Sequence, residues 1–160
     1  MREEIKVNIY DLSRGWAKNM SPCILGKKID GIWHTGILAF GKEYFYGGGI
    51  QYDYTEHVQD LVGEPVETKL IGHTELTKDL FHDYLDTLRP KYNDLNYNLF
   101  SQNCNHFSHE IANFLTGKGI PEHIVNLPDI CQQTCVGSLI KSIMEKMNLI
   151  GTRIDNLDMD

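Results

Sequence analysis

The stretch "IDGIWHTGILAF", Ile29 to Phe40, constrains the fold more than any other part of the chain. It is apolar on both faces of a strand, with Ile32, His34, Leu38 and Phe40 on one side and Trp33, Ile37 and Ala39 on the other. A strand of that pattern must be covered on both sides, so a central strand is predicted. Gly41-Lys42 follows, then "EYFYGGGI" from Glu43 to Ile50. A Gly-X pair between two apolar runs predicts a two-residue hairpin turn. With that turn, Phe40 pairs with Glu43, Leu38 with Phe45, Gly36 with Gly47 and His34 with Gly49. The glycines Gly47, Gly48 and Gly49 then lie beside His34, where missing side chains leave room for a substrate backbone.

"IKVNIYDL" alternates Ile5, Val7 and Ile9 and predicts a first strand. Ser13 to Lys28, with Gly15, Ser21-Pro22 and Gly26, predicts a loop. Glu67 to Ile71 predicts a further strand ending at Gly72. Thr74 is a suitable cap for a helix carrying Leu76, Leu80, Phe81, Tyr84, Leu85 and Leu88, stopped by Arg89-Pro90. "YNDLNYNLF" is a loop or short strand, and "IPEHIVNLPDI", with Pro121 and Pro128, is extended or turning. A last helix is predicted from Asp129 to about Met147, before an acidic, frayed tail over 148–160. Strands followed by helices predict one α+β domain over 1–147.

A chain of 160 residues suits one domain with a real core, and its net charge of −7 argues against a nucleic-acid partner. No run of 18 apolar residues is present, so no transmembrane helix is expected. The N-terminus is charged and then strand-like, unlike a secretory leader. An intracellular protein, cytoplasmic or nuclear, with four reduced cysteines is therefore expected. Cys131-x3-Cys135 and His106-x2-His109 lie in separate segments, with no C-x2-C and no H-E-x-x-H. No metal and no cofactor are predicted. Cys131 and Cys135, at i and i+4 of the last helix, read as core-facing apolar residues.

"SQNCNHFSHE", Ser101 to Glu110, opens the helix that runs to Leu115, with Gly117 and Gly119 as stop signals. On a helical wheel Cys104, Phe107, Ile111, Phe114 and Leu115 share an arc of about 120°. Cys104 thus sits in the first turn at the edge of the packed face, with Asn103 as a suitable cap. A thiol there feels the positive helix end and free backbone N–H groups, which favour thiolate and could stabilise an oxyanion. His106, two residues on, points to another side of the helix and cannot serve as the base. His109 lies off the packed face as well. The base should come from the surface on which the helix packs, and His34 is the polar ring that an apolar strand offers there. No third residue is evident: Asp30, on the same strand face, lies roughly 13 Å along it.

The blocks "YDLS", "GIWHTGI", "EYFYGGGI", "IGHTEL", "NCNHFSHEIANFL" and "IPEHIVNLP", in that order over about Val7 to Pro128, resemble the permuted papain-fold peptidases called PPPDE. These are also known as DeSI-type desumoylating isopeptidases. The resemblance implies a circularly permuted papain-like fold, an antiparallel sheet packed against helices, and a catalytic dyad of His34 and Cys104. Histidine before cysteine is the reverse of papain's order. The mechanism implied is attack by Cys104, a thioester acyl-enzyme, and hydrolysis with His34 as general base. Backbone N–H groups at Cys104, with Gln102 or Asn103, are candidate oxyanion donors, and Trp33 with Gly47, Gly48 and Gly49 is the candidate substrate cleft.

The implied partners are SUMO- or ubiquitin-modified proteins, whose modifiers end in Gly-Gly, and a homodimer with the groove near the interface is also implied. Some relatives look like protein S-depalmitoylases, for which Trp16, Trp33 or Phe45 could line an apolar channel. The lecithin retinol acyltransferase group carries a similar cysteine-histidine block, but it commonly has a membrane anchor, and its other blocks match less well. A catalytically silent, modifier-binding module is the reading from a different class.

Overall fold

The computed structural model of the chain describes residues 2–15, 18–19, 30–98 and 101–125. The predicted last helix and tail, Trp16, Cys23, Cys131 and Cys135 lie outside the described residues.

β1 (Glu3–Asp11), β2 (Trp33–Ala39), β3 (Lys42–Tyr46), β4 (Ile50–Asp53) and β5 (Glu67–Thr74) form a five-stranded sheet in the order β4-β3-β2-β1-β5, antiparallel throughout. α1 (Thr55–Val62), α2 (Lys78–Leu88), α3 (Cys104–Thr116) and the short α4 (Glu122–Val125) accompany it. The architecture is α+β, as the order of strands and helices predicts.

The alternation of β1 decides its two faces. Ile5, Val7 and Ile9 join Ile37, Ala39, Tyr44 and Tyr46 in the larger core, which takes Phe107, Ile111 and Leu115 of α3 and Phe81 and Leu85 of α2. Tyr10 and Phe45 turn to the other face and pack with Val58 of α1. β2 is covered on both sides, because Thr35 and Ile37 are buried on one face and His34 on the other.

The hairpin after β2 corrects the predicted register. Ile37 pairs with Tyr44, Leu38 with Glu43 and Ala39 with Lys42, so the turn is Phe40-Gly41 and not Gly41-Lys42. Both turn residues have positive φ, 50° at Phe40 and 76° at Gly41. A turn of that kind matches the twist of the flanking strands. Phe40 accepts the strained conformation while its ring packs on Phe81, at 5.8 Å between centroids. The predicted return strand is also shorter than "EYFYGGGI". It ends at Tyr46, and Gly47 to Gly49 form the turn into β4, with φ 70° at Gly48 and 113° at Gly49. Ladder pairing between β2 and β3 stops at Ile37↔Tyr44, leaving His34 and Thr35 outside it.

β4 and α1 are elements the sequence pattern does not predict, and α1 has a physical reason: it buries only Val58. β5 runs on past Gly72 to Thr74, with an irregularity opposite Ile5/Lys6. Thr74 is therefore the buried end of a strand, paired with Glu3, and not a helix cap. Thr77 caps α2 instead, accepting from the Leu80 amide. Part of "IPEHIVNLPDI" is helical, as α4.

Candidate active site

α3 starts where its cap dictates. Asn103, extended at φ −111° and ψ −175°, accepts from the amides of Asn105 at 2.9 Å and His106 at 3.1 Å. His106 completes a capping box, its Nδ1 lying 3.3 Å from the Asn103 amide nitrogen. The near histidine thus closes the helix end, in keeping with its exclusion as a base. His109 lies on another side, its ring beneath Gly119.

Cys104 occupies the first helical position and is 4 % exposed. It belongs to a small buried cluster with Tyr10, Phe45 and Val58, ringed by Leu12, Ile32, Leu61 and Val62. His34 is fully buried between two of those side chains. Its ring centroid lies 5.7 Å from that of Tyr10 and 5.9 Å from that of Phe45, the latter edge-on. The two candidate residues therefore share one apolar enclosure where the β2–β3 ladder has ended and the first turn of α3 meets β2. Neither ring nitrogen of His34 has a hydrogen-bond partner among the described residues. Such a group is rare enough in a folded protein to ask for a purpose.

Burial sets the charge state of both groups. It pushes the Cys104 thiol up to about 11, although the Thr35 amide, the Tyr97 hydroxyl and the amides of Asn105 and Cys104 itself all pull it down. The preference for thiolate expected at a helix start is overturned, because desolvation of a buried charge exceeds what the helix end returns. Burial alone takes His34 down to about 4. At neutral pH the pair stands as thiol and free imidazole.

The other predicted site residues divide. Gln102 turns its side-chain nitrogen to the carbonyls of Lys91 at 2.7 Å and Asn96 at 3.1 Å, so its amide holds the preceding loop. Asn103 serves as the cap. Trp33 is half-buried, with its indole lying over Gly31, where a Cβ would come within 2.7 Å of the ring. Gly47 to Gly49 lie at the end of the sheet where β2 begins. Continued past its last pair, the β2–β3 register sets Gly47, not Gly49, level with His34.

Four further residues shape the site without a sequence signal that singled them out. Asn105 bonds to β2 on both sides of His34, through Thr35 Oγ1 at 2.9 Å and the Trp33 carbonyl at 3.0 Å. Tyr97 brings its hydroxyl to the sulfur. Glu43, fully buried, accepts from the Tyr10 hydroxyl at 2.9 Å and from Asn8 at 3.0 Å, bracing the ring that packs on His34. Asp11 gathers the Ser13, Gly15 and Ile32 amides at 2.8–3.1 Å and ties the end of β1 to the approach of β2. Among the described residues no group of three or more His, Cys, Asp or Glu could hold a metal ion, and no helix is long and apolar enough to cross a membrane.

The family model described as "PPPDE putative peptidase domain" matches residues 3–145. Desumoylating isopeptidase 1 of Xenopus laevis is 39 % identical over 147 residues, spanning 91 % of this chain and 86 % of that protein. Desumoylating isopeptidase 1 of Homo sapiens gives the same identity and the same coverage. A DeSI-like protein of Arabidopsis thaliana is 34 % identical over 129 residues, spanning 68 % of this chain and 55 % of that protein.

Proposed function

Because the chain belongs to the PPPDE peptidase family and is a cysteine-dependent hydrolase, we propose that it removes SUMO from modified proteins, with Cys104 as nucleophile and His34 as general base. The relatives' names supply the choice of modifier. The observation that carries the choice of residues is the shared enclosure: the thiol at the start of α3, and an imidazole on β2 with neither nitrogen partnered among the described residues, beside the same two aromatic rings.

The neutral resting pair shapes the mechanism. A free thiolate is costly in that enclosure, so the sulfur loses its proton to His34 as the S–C bond to the modifier's terminal carbonyl forms. The oxyanion faces the backbone N–H of Cys104 at the start of α3, because the Asn105 and His106 amides are already taken by the Asn103 cap. Gln102 is a weaker donor for it than the sequence suggests, since its amide is already engaged. His34, now protonated, gives its proton to the departing lysine amine. It then takes one from the water that hydrolyses the thioester, and the sulfur is reprotonated as the modifier leaves. Trp33 and the glycines Gly47 to Gly49 are the proposed walls for the modifier's Gly-Gly tail.

The test is covalent labelling of the purified protein with electrophile-tipped SUMO, ubiquitin and a long-chain acyl mimic, with Cys104→Ser as control. Labelling by SUMO in the wild type and not in the mutant is expected. Labelling by ubiquitin alone, or by the acyl mimic alone, moves the substrate to a ubiquitin conjugate or a fatty-acyl thioester. Labelling that survives Cys104→Ser removes Cys104 as nucleophile.

A further inference from the structure

Asn105 is 4 % exposed, and its side chain makes two bonds to β2, a strand about seventy residues earlier in the chain. Its Nδ2 donates to the Trp33 carbonyl at 3.0 Å, and its Oδ1 accepts from Thr35 Oγ1 at 2.9 Å. Trp33 and Thr35 are the two neighbours of His34. Ser108, one turn further along α3, donates to the Thr35 carbonyl at 3.2 Å and adds a third tie. The same Oδ1 lies 3.7 Å from Cys104 Sγ, within reach of its S–H. A carboxamide suits these partners because one end must donate and the other accept. A carboxylate would set a charge against the Trp33 carbonyl, and an alanine would orphan both β2 groups.

We propose that Asn105 is a positioning residue for the hydrolytic reaction: it braces the first turn of α3 against both neighbours of His34 and so sets the Cys104 sulfur before the imidazole. The inference rests on the assignment of Cys104 and His34 above. His34 has no hydrogen-bond partner among the described residues, and β2 reaches the Cys104 sulfur through the Thr35 amide beside it, so the alignment of nucleophile and base depends on the residues that flank them. Displacing reacting groups by about 1 Å can cost on the order of a hundredfold in rate.

The experiment compares wild type, Asn105→Ala, Asn105→Asp, Thr35→Val and Cys104→Ser. The readouts are kcat and KM on a fluorogenic amide of the SUMO C-terminus, the pH profile of kcat from about 5 to 8, and thermal unfolding. For Asn105→Ala, kcat falls on the order of a hundredfold with KM within about threefold of wild type. Thr35→Val, which loses one of the two ties and keeps nearly the same shape, loses roughly tenfold in kcat and keeps its fold. Asn105→Asp carries the distinguishing result. A neutral carboxyl can donate to Trp33 and accept from Thr35 as the amide does, so activity approaches wild type at the acid end. It falls as the buried acid ionises on raising the pH. A purely structural role predicts no such pH-dependent rescue.

Wild-type kcat in Asn105→Ala and Thr35→Val, or an Asn105→Asp defect of equal size at every pH in a folded protein, overturns the inference. If Cys104→Ser is inactive while the Asn105 variants are normal, only the positioning role is lost. If Cys104→Ser still turns over, the assignment of the nucleophile fails first.

Discussion

A helix start contributes roughly 0.3–1 kcal/mol to a nearby anion, and nearby amides add to it, whereas removing a thiolate from water in a closed apolar site works against it with several times that strength. Cys104 shows the balance, its thiol held up at about 11 by burial. His34, held down at about 4, is the free base at neutral pH. Hydrolysis by the free enzyme should therefore rise as the pH passes upward through about 4 and stay level across the neutral range. A thiolate–imidazolium pair would instead be lost on both sides of neutrality, and kcat/KM measured from pH 3.5 to 9.5 separates the two. Alkylation of Cys104 by iodoacetamide, followed by mass spectrometry, should be slower at pH 7 than that of a free exposed thiol.

At the scale of elements, the proposed assignment makes the start of α3 join stability to activity, because the turn that Asn103 caps carries Cys104 and Asn105. Asn103→Ala removes the acceptor for two amides and half of the capping box. It should cost about 1 kcal/mol, a fall of about 2–4 °C in Tm for a chain of this size. Turnover measured well below the Tm should fall by a larger factor than that loss alone accounts for, since the frayed turn is the one that bears the sulfur. The β2–β3 hairpin offers a contrast. Gly41, at φ 76° with nothing near its missing side chain, takes alanine only at the expense of backbone strain. Gly41→Ala should cost about 1 kcal/mol in chemical denaturation and leave kcat unchanged, because the turn lies at the far end of β2 from His34.

At the scale of the whole molecule, His34 and Glu43 are buried on one face of the sheet and titrate between acid and neutral pH, and their effects on stability run in opposite directions. His34 has its folded value depressed to about 4, so its contribution is present above its usual range near 6.5 and is lost as the pH falls through about 4. Glu43 is raised to about 7 by burial, against the pull of Tyr10, Asn8 and Thr55. Its contribution is present below about 4.5 and is lost as the pH rises through about 7. Between about 4.5 and 6.5 the two oppose each other, and wild-type stability should change little. Glu43→Gln should leave a stability that climbs with pH across that window, and His34→Gln one that declines. Urea denaturation of the three proteins at pH 4.5, 5.5 and 6.5 reads the slopes, and parallel curves would remove the account. Gly36 belongs to the same packing, since a Cβ there would sit 2.6 Å from Glu43 Cγ. Gly36→Ala should accordingly destabilise the fold by 1–3 kcal/mol, the range for overpacking.

The sequence by itself determined what depends on neighbours a few residues apart. The alternation of β1, the Asn103 cap and the arc of α3 follow from helix and strand periodicity, and so does the exclusion of His106, which helical geometry turns away from Cys104. His34 stood out as a candidate through the glycines placed beside it and the resemblance of its block to the PPPDE peptidases, since a lone polar ring in a strand is more often a core histidine bonded to a carbonyl. What only the tertiary structure decided depends on groups distant in the chain. The Phe40-Gly41 turn moved the hairpin by two residues, with Phe40 held at positive φ by the packing of its ring on Phe81 and by the bond from its amide to Glu3. Asn105 found its partners on a strand about seventy residues away. Burial by Tyr10, Phe45 and Val58 removed the negative charge that a helix start favours at Cys104, because desolvation is fixed by everything that surrounds a group and not by the turn that carries it.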